Sequence, residues 1–444
     1  MRFHWQCRIK VNGKRRSRLF CDGSPRAAPE VHSTTNTCAS CLEHPVFMLF
    51  IALCTADDLT ICGGDAKDAF AHQHGPSMPT FMKLDDAFRD WHKERKGVWL
   101  DKDLVLPVLR ALQGHPEAAR LWEEHISAIL EKVGFKDTMH EKNIHTGKFC
   151  GEKALSLRQV DDFALGCHQE SAAKSVHAEI GTKLALHNEA EAPFEHLGLV
   201  DSFDGCDVLQ TRDCTKFRLS AVSCIRRLLK AHGWDSPSPC ESSNKPKPPS
   251  HESDVASLFN LAAGPVENTP EHKALEAEQG FGYRSVLGEI LFAHVLCRPN
   301  IGHAVTTLAK FSTAPNALHC KSLKHLAICL HQTQDWGIMC WRSEPVESLP
   351  EVPHVPVTFD DSLSLIPPPS HLRQLIAHVD AAHANELRQR RSATGCGCCL
   401  AGGVMACRSR TQSICAQSSA EAELAAANAA AKVTKCLQFI LREL

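Results

Sequence analysis

Two adjacent aspartates interrupt strand-like sequence near residue 160. Asp161 and Asp162 stand between ALSLRQV and FALGC, two short apolar segments of the length and composition of β-strands. The pattern predicts a tight hairpin with both carboxylates at its tip. Adjacent carboxylates repel each other, and a cation between them would relieve that repulsion. The alternative is an ordinary polar turn, in which the pair has no further role.

A third aspartate follows another predicted strand. Residues 45–56 are apolar enough for a buried helix, and the strand over residues 59–64 then ends at Asp65. Over residues 116–133 the apolar side chains recur at helical spacing, and Gly134 is placed to stop the helix. Strands alternating with helices predict a mixed α/β or α+β fold.

Composition limits the class of protein. The 444 residues exceed what one hydrophobic core usually serves, and 43% hydrophobic with 23% charged residues is ordinary for folded soluble domains. A net charge of -2 does not by itself indicate nucleic-acid binding. The 22 cysteines are scattered and predict reduced thiols, and no apolar stretch is long enough to cross a membrane.

The motifs follow one another in the order of a known family. A basic hairpin over RIKVNGKRRSRLF precedes GGDAKDAF, FMKLDDAF, VLRALQGHPEAARLW, QVDDFALG and HLGL. YRSVLGEILFAHVLCRPNIGHAVTTLAKF comes later, then HVDAAHA, RRSATGCG, ACRSRTQ and QSSAEAEL. This succession resembles the reverse transcriptase and ribonuclease H segments of copia-type retrotransposon Pol polyproteins.

The resemblance implies a right-hand polymerase with a ferredoxin-like palm, followed by a truncated ribonuclease H-like α/β domain. The implied domains are fingers, palm and the start of the thumb, a Pro- and Ser-rich flexible insertion, a helical thumb or connection segment, a linker, and the truncated domain. Their expected bounds are residues 1–235, 236–281, 282–342, 343–370 and 371–444.

By the same resemblance, Asp65 and Asp161 hold two Mg²⁺ (or Mn²⁺) ions, and Asp162 supplies a third carboxylate. Nucleotide addition builds charge on phosphate oxygens, which two divalent ions stabilise, and carboxylate oxygens are the ligands that such ions take. The expected activity is RNA-directed DNA polymerisation.

The resemblance also predicts a nucleotide pocket. Phe70 lies where the family has a steric gate against ribonucleotides, although a core phenylalanine is the alternative. Gln113 and Gly114 match the loop that meets the sugar of the incoming nucleotide. Arg18, in the basic hairpin, matches a contact to the triphosphate.

Leu197 and Gly198, within HLGL, match the primer grip. The expected partners are therefore an RNA template, a DNA primer and deoxynucleoside triphosphates. One departure is Gln159, which stands where the family usually has an aromatic residue.

In the ribonuclease H segment, Asp380 and Glu423 match metal-binding carboxylates, and Glu421 is expected to cap the helix instead. Ala382 departs from the family's second aspartate. Two further carboxylates of that domain are expected beyond the residues present, so this activity is expected to be incomplete.

Two rival interpretations remain open. One is a catalytically dead retroelement remnant, which Gln159 and the near-neutral charge favour and which binds nucleic acid at most. The other is a protein-interaction module built on the helices of residues 282–335. The expected location is intracellular, in a cytoplasmic particle or the nucleus, without secretion.

Overall fold

The computed structural model describes residues 3–9, 13, 15–34, 36–149, 151–185, 193–210, 216–236, 258, 263–342, 373–386 and 389–444. Within these ranges it has eleven α-helices and five β-sheets. This confirms the predicted mixture of helices and sheets. The chain divides into two compact units, Met1–Leu42 with Ile61–Leu199, and Glu43–Thr60 with Val200–Leu444.

The first unit is built on a six-stranded sheet in the order β10-β3-β9-β8-β7-β6. Its strands are β3 (Thr60–Ala66), β6 (Phe135–Asp137), β7 (Ile144–Phe149), β8 (Glu152–Gln159), β9 (Asp162–Cys167) and β10 (Phe194–Leu199). Two helices, α4 (Ala118–Val133) and α5 (Glu170–Leu184), share one core with the sheet. The members of that core include Trp122, Ile126, Leu130, Phe163, Leu165, Val176 and Ile180.

Two small hairpins complete the first unit. Strands β1 (Phe3–Ile9) and β2 (Arg15–Cys21) pair antiparallel, which confirms the predicted opening hairpin. Strands β4 (Phe81–Lys83) and β5 (Val105–Pro107) form the second. Helices α1 (Pro29–Thr34) and α3 (Asp86–Lys96) also belong here.

The second unit contains a four-stranded sheet and several helices. The strands are β11 (Ser202–Phe203), β12 (Cys206–Gln210), β13 (Lys216–Ser220) and β14 (Gly337–Trp341). The helices are α2 (His44–Ala56), α6 (Val222–Ala231), α7 (Pro270–Gln279), α8 (Tyr283–Cys297), α9 (Gly302–Ala309) and α10 (Ala317–Gln332). Helix α2 is almost wholly buried, as its apolar sequence predicts.

A three-stranded sheet and a long helix end the chain. Strands β15 (Ile376–Glu386), β16 (Arg391–Leu400) and β17 (Gly403–Thr411) lie in chain order, and α11 (Ser419–Leu441) follows. The segment is thus a strand, a hairpin and a helix in succession. None of the helices in the described part of the chain is long and apolar enough to span a membrane.

Several bounds differ from prediction because pairing with other strands sets them. Strand β3 continues through Asp65 to Ala66, which pairs with Phe194. Strand β15 runs past Asp380, because Glu386 still pairs with Arg391.

The predicted domain bounds stay a prediction. The expected insertion contains helix α7, which starts where the Thr269 side chain accepts a hydrogen bond from the His272 N–H. The expected linker, residues 343–370, lies outside the described residues. The expected first domain, residues 1–235, is divided between the two units.

Candidate active site

The end of strand β3 lies against the turn that follows strand β8. The Ala66 N–H donates a hydrogen bond to the carbonyl oxygen of Asp161 over 2.9 Å. Strands β3 and β9 are neighbours in the sheet. Asp65, one residue before Ala66, is thereby brought beside Asp161.

The turn itself has two residues. Gln159 pairs with Asp162, so Val160 and Asp161 make the connection. Val160 has φ +58°, a left-handed conformation that a β-branched residue rarely adopts. The side-chain oxygen Oε1 of Gln159 accepts a hydrogen bond from the Leu42 N–H over 3.3 Å. Gln159 therefore holds the chain near the turn through an amide contact that an aromatic ring could not make.

The electrostatics of Asp65 reflect its neighbours. Burial is the main cause that raises the pKa of Asp65 above 3.8, and the negative charges of Asp161 and Glu195 raise it further. Arg16 and Lys67 act in the opposite direction. A cation beside Asp65 and Asp161 would relieve this repulsion.

Glu195 was not identified from the sequence. It stands directly opposite Asp65 in the pairing of β10 with β3, and its Oε2 is 3.5 Å from Lys67 Nζ. The register of two strands about 130 residues apart decides this proximity. A charged residue just before HLGL is the only signal that the sequence offers.

The carboxylates fit a divalent ion in part. Asp65 and Asp161 supply the oxygen donors that Mg²⁺ or Mn²⁺ takes, and their mutual repulsion favours a cation. Asp162 is exposed at the start of β9. Across the described ranges, no three His, Cys, Asp or Glu side chains are grouped so as to hold a metal ion.

The predicted nucleotide loop lies against the opening hairpin. The Cys21 N–H donates to the carbonyl oxygen of Gln113 over 2.9 Å. Gly114 has φ +89°, and a Cβ there would lie 2.2 Å from the Cys21 oxygen, so only glycine fits. Arg18 lies on the same strand, β2, as Cys21. The structure thus places Arg18 on the strand that Gln113 and Gly114 contact.

Phe70 lies in a short 3-10 turn, Ala69–His72, just after β3. Its ring is partly buried against the core that contains Ala66 and Trp122. This packing agrees with a core role for part of the ring.

The predicted primer grip is an irregular part of β10. A bulge separates His196 from Gly198, and Gly198 has φ +76°. The bulge leaves Leu197 56% exposed, so this apolar side chain is available to a ligand. Both residues lie on β10, which is the neighbour of β3 in the sheet.

In the second unit, the structure brings Glu423 beside the strand of Asp380. Glu423 Oε1 accepts a hydrogen bond from the Ala381 N–H over 3.3 Å. Both carboxylate residues are exposed. Glu421 instead accepts from the Gln417 N–H over 2.7 Å, and its own N–H donates to Ser418 Oγ, which confirms the predicted cap.

Comparison with known proteins agrees with these motifs. The chain is 22% identical over 397 residues, 89% of its length, to the retrovirus-related Pol polyprotein from transposon TNT 1-94 of Nicotiana tabacum. It is 24% identical over 235 residues, 52% of its length, to the putative transposon Ty5-1 protein YCL074W of Saccharomyces cerevisiae. It is also 28% identical over 141 residues, 32% of its length, to the secreted RxLR effector protein 161 of Plasmopara viticola, 80% of which is covered.

The matches differ in how much of each relative they cover. The chain spans 25% of the tobacco polyprotein and 66% of the yeast protein. No protein-family model matches it. The chain is a homologue of the retrovirus-related Pol polyproteins of transposons, as its copia-type motifs predict.

Proposed function

We propose that the chain is an RNA-directed DNA polymerase that adds deoxynucleotides by two-metal nucleotidyl transfer. The observation that carries the proposal is the juxtaposition of Asp65, at the end of β3, with Asp161, in the turn before β9. Carboxylates at such a strand end and turn are the ligands that phosphoryl transfer requires.

The topology of the first unit supports a ferredoxin-like palm. Along the chain, β3, α4, β8, β9, α5 and β10 follow the order βαββαβ. In the sheet, the four strands lie as β10-β3-β9-β8. We assign the fingers to the hairpin of β1 and β2 and the start of the thumb to α6. The helices α8 to α10 would form the thumb or connection segment.

In this mechanism, Asp65 and Asp161 would hold Mg²⁺ or Mn²⁺, with Asp162 in support. The bound ions would stabilise the charge on the attacking and leaving oxygens. Arg18 would attract the triphosphate, and Gln113 and Gly114 would contact the sugar of the incoming nucleotide.

Other residues would select and orient the substrates. Phe70 would oppose a 2′-hydroxyl, and Leu197 with Gly198 would position the primer end. The substrates are then an RNA template, a DNA primer and deoxynucleoside triphosphates, in a cytoplasmic particle or the nucleus.

The second unit carries carboxylates of a ribonuclease H centre in this proposal. Asp380 and Glu423 would hold a metal ion for hydrolysis of RNA in a hybrid with DNA. The hydrogen bond from the Ala381 N–H to Glu423 supports their proximity.

Primer extension tests the polymerase. The full chain is incubated with a poly(A) template, an oligo(dT) primer and labelled dTTP, with Mg²⁺ or Mn²⁺. We expect incorporation that Asp161→Asn abolishes, because the variant loses a metal-binding charge. Asp90→Asn, at an exposed position of α3, is the matched control and should leave incorporation unchanged.

The second candidate is a catalytically inactive remnant that still binds nucleic acid. Gln159, which stands where the family usually has an aromatic residue, and the near-neutral net charge favour it. Folded protein that binds the primer and template but incorporates no nucleotide with either ion would establish this candidate.

A further inference from the structure

A histidine of α5 is in contact with a histidine of β10. The Nδ1 atoms of His177, on α5, and His196, on β10, are 2.8 Å apart. At this distance one nitrogen must carry a proton and the other must accept it, because two lone pairs would repel. His177 is 2% exposed, and its ring centroid is 5.1 Å from that of Phe194. The contact is therefore a single hydrogen bond in an apolar setting.

The charge of Glu170 biases the direction of this hydrogen bond. Its Oε1 is 3.7 Å from His196 Nε2, and a facing carboxylate favours a proton on that nitrogen. When His196 is neutral, its Nδ1 is then the acceptor, and His177 donates from its own Nδ1. Burial, and secondarily His196, lowers the pKa of His177 to about 3, so His177 is neutral at neutral pH.

These three side chains touch both parts of the proposed polymerase site. His196 pairs across the sheet with Gly64, the residue before Asp65. A Cβ on Gly64 would lie 3.1 Å from His177 Cε1, so the His177 ring packs directly on β3. On the other side, a Cβ on Gly198 would lie 3.8 Å from Glu170 Oε1. The histidine pair and Glu170 thus link the strand of Asp65 to the bulge of β10.

We propose that Glu170, His196 and His177 form a positioning relay that fixes the Leu197–Gly198 bulge relative to Asp65 and so sets the affinity for a primer paired to its template. The inference rests on the proposed function, which gives the bulge its contact with the primer. None of the three residues touches the reacting atoms. Loss of the relay therefore weakens primer binding more than it slows the chemical step.

Variants of His177 test the relay in the full chain. His177→Phe keeps a ring but removes the donor, whereas His177→Asn keeps an N–H near the position of Nδ1. We expect His177→Phe to raise the Kd for labelled oligo(dT) on poly(A), and the KM for the same duplex, by about fivefold to tenfold. The kcat should change less than about twofold, a split expected when uniform binding is lost. His177→Asn should restore most of the affinity.

A second pair of variants tests the relay at exposed positions, where a substitution does not disturb the core. Glu170 is 55% exposed, so Glu170→Gln leaves the fold intact while it weakens the proton preference at His196. Glu170→Gln should also raise the Kd for oligo(dT) on poly(A). Glu179→Gln, on the same helix with a 40% exposed side chain, is the matched control and should not.

A spectroscopic readout does not need polymerase activity. Long-range ¹H–¹⁵N spectra of histidine-labelled protein distinguish the two neutral tautomers. We expect the proton of His177 on Nδ1 and that of His196 on Nε2. The reverse assignment, or an unchanged Kd and KM in His177→Phe, would overturn the relay.

The relay and the polymerase can fail separately. If the unmodified chain incorporates no nucleotide but binds the duplex with an affinity that depends on His177, the polymerase proposal fails and the relay stands. If the unmodified chain incorporates nucleotides and His177→Phe behaves identically, only the relay fails. If the folded chain does not bind the duplex, both fail.

Discussion

The indole Nε1–H of Trp122 donates a hydrogen bond to the carbonyl oxygen of Val160, and the two atoms are 2.7 Å apart. Trp122 lies on α4 and is 1% exposed, whereas Val160 is the first residue of the turn before β9. Helix α4 therefore holds the backbone of the turn that carries Asp161. The position of this carboxylate depends on packing in the core as well as on the hairpin.

Trp122→Phe should loosen the turn without emptying the core. The phenyl ring fills part of the indole volume but cannot donate to Val160, and the loss of one such hydrogen bond costs about 1 kcal/mol of the free energy of unfolding. Urea unfolding followed by circular dichroism measures the change, and primer extension should slow in parallel. The matched control is Trp99→Phe, because Trp99 is 60% exposed. Equal losses in the free energy of unfolding and in primer extension at the two positions would contradict an anchoring role for Trp122.

Val160→Asn should stabilise the protein. At φ +58° a β-branched side chain is strained, and asparagine adopts this conformation at lower cost. Relief of the strain should raise the free energy of unfolding by about 1 kcal/mol, as measured by thermal unfolding. Val160 is 39% exposed, so little apolar burial is lost. Val98→Asn is the control, because Val98 is not among the residues with positive φ, and it should not raise the free energy of unfolding. If Val160→Asn is less stable than the unmodified chain, the turn is not strained at Val160.

Asp65→Asn should stabilise the protein near neutral pH. The pKa of Asp65 is raised above 3.8 in the folded state, so the charged form is disfavoured there and stability is lost as pH rises through the raised pKa. Asparagine carries no charge and removes this penalty, so the free energy of unfolding should rise.

Urea unfolding of Asp65→Asn at several pH values tests this. The gain should shrink as pH falls through 3.8 and below, because the aspartate of the unmodified chain then becomes protonated in both the folded and the unfolded state. A gain that does not depend on pH would show that charge is not its cause. Asp90→Asn should show no such gain at any pH.

Acid should destabilise the protein through His177. The pKa of this histidine is lowered from 6.5 to about 3 in the folded state, chiefly by burial. A lowered folded-state pKa means that the stabilising contribution is complete above pH 6.5 and is lost as pH falls from 6.5 toward 3. The slope is at most about 1.4 kcal/mol per pH unit. In His177→Phe this part of the pH dependence should be missing from urea unfolding curves, and an unchanged pH dependence would show that other groups cause it.

Much of the local structure could be predicted because its causes lie within a few residues. The apolar period of α4 and the glycine at its end define that helix, and Gly134 indeed has φ +106° there. The capping pattern at Ser418 and Glu421 likewise marks the start of α11. The hairpin of β8 and β9 follows from two apolar runs separated by polar residues.

The site was predicted less completely. The family resemblance indicated Asp65 and Asp161, and the structure places them together. The resemblance did not indicate Glu195, the His177–His196 contact or the Trp122 anchor, since each depends on side chains that are far apart in the chain. The bounds of β3 and β15 also differed from prediction, because pairing partners rather than local composition decide where a strand ends.

The sequence alone therefore determined the local elements and the carboxylates that could carry chemistry, because helix period, capping and turn composition act over short distances. Only the tertiary structure decided which charges surround Asp65 and which histidine lies beneath β10. Strand register and burial set those relationships, and both arise from the packing of distant segments against one another.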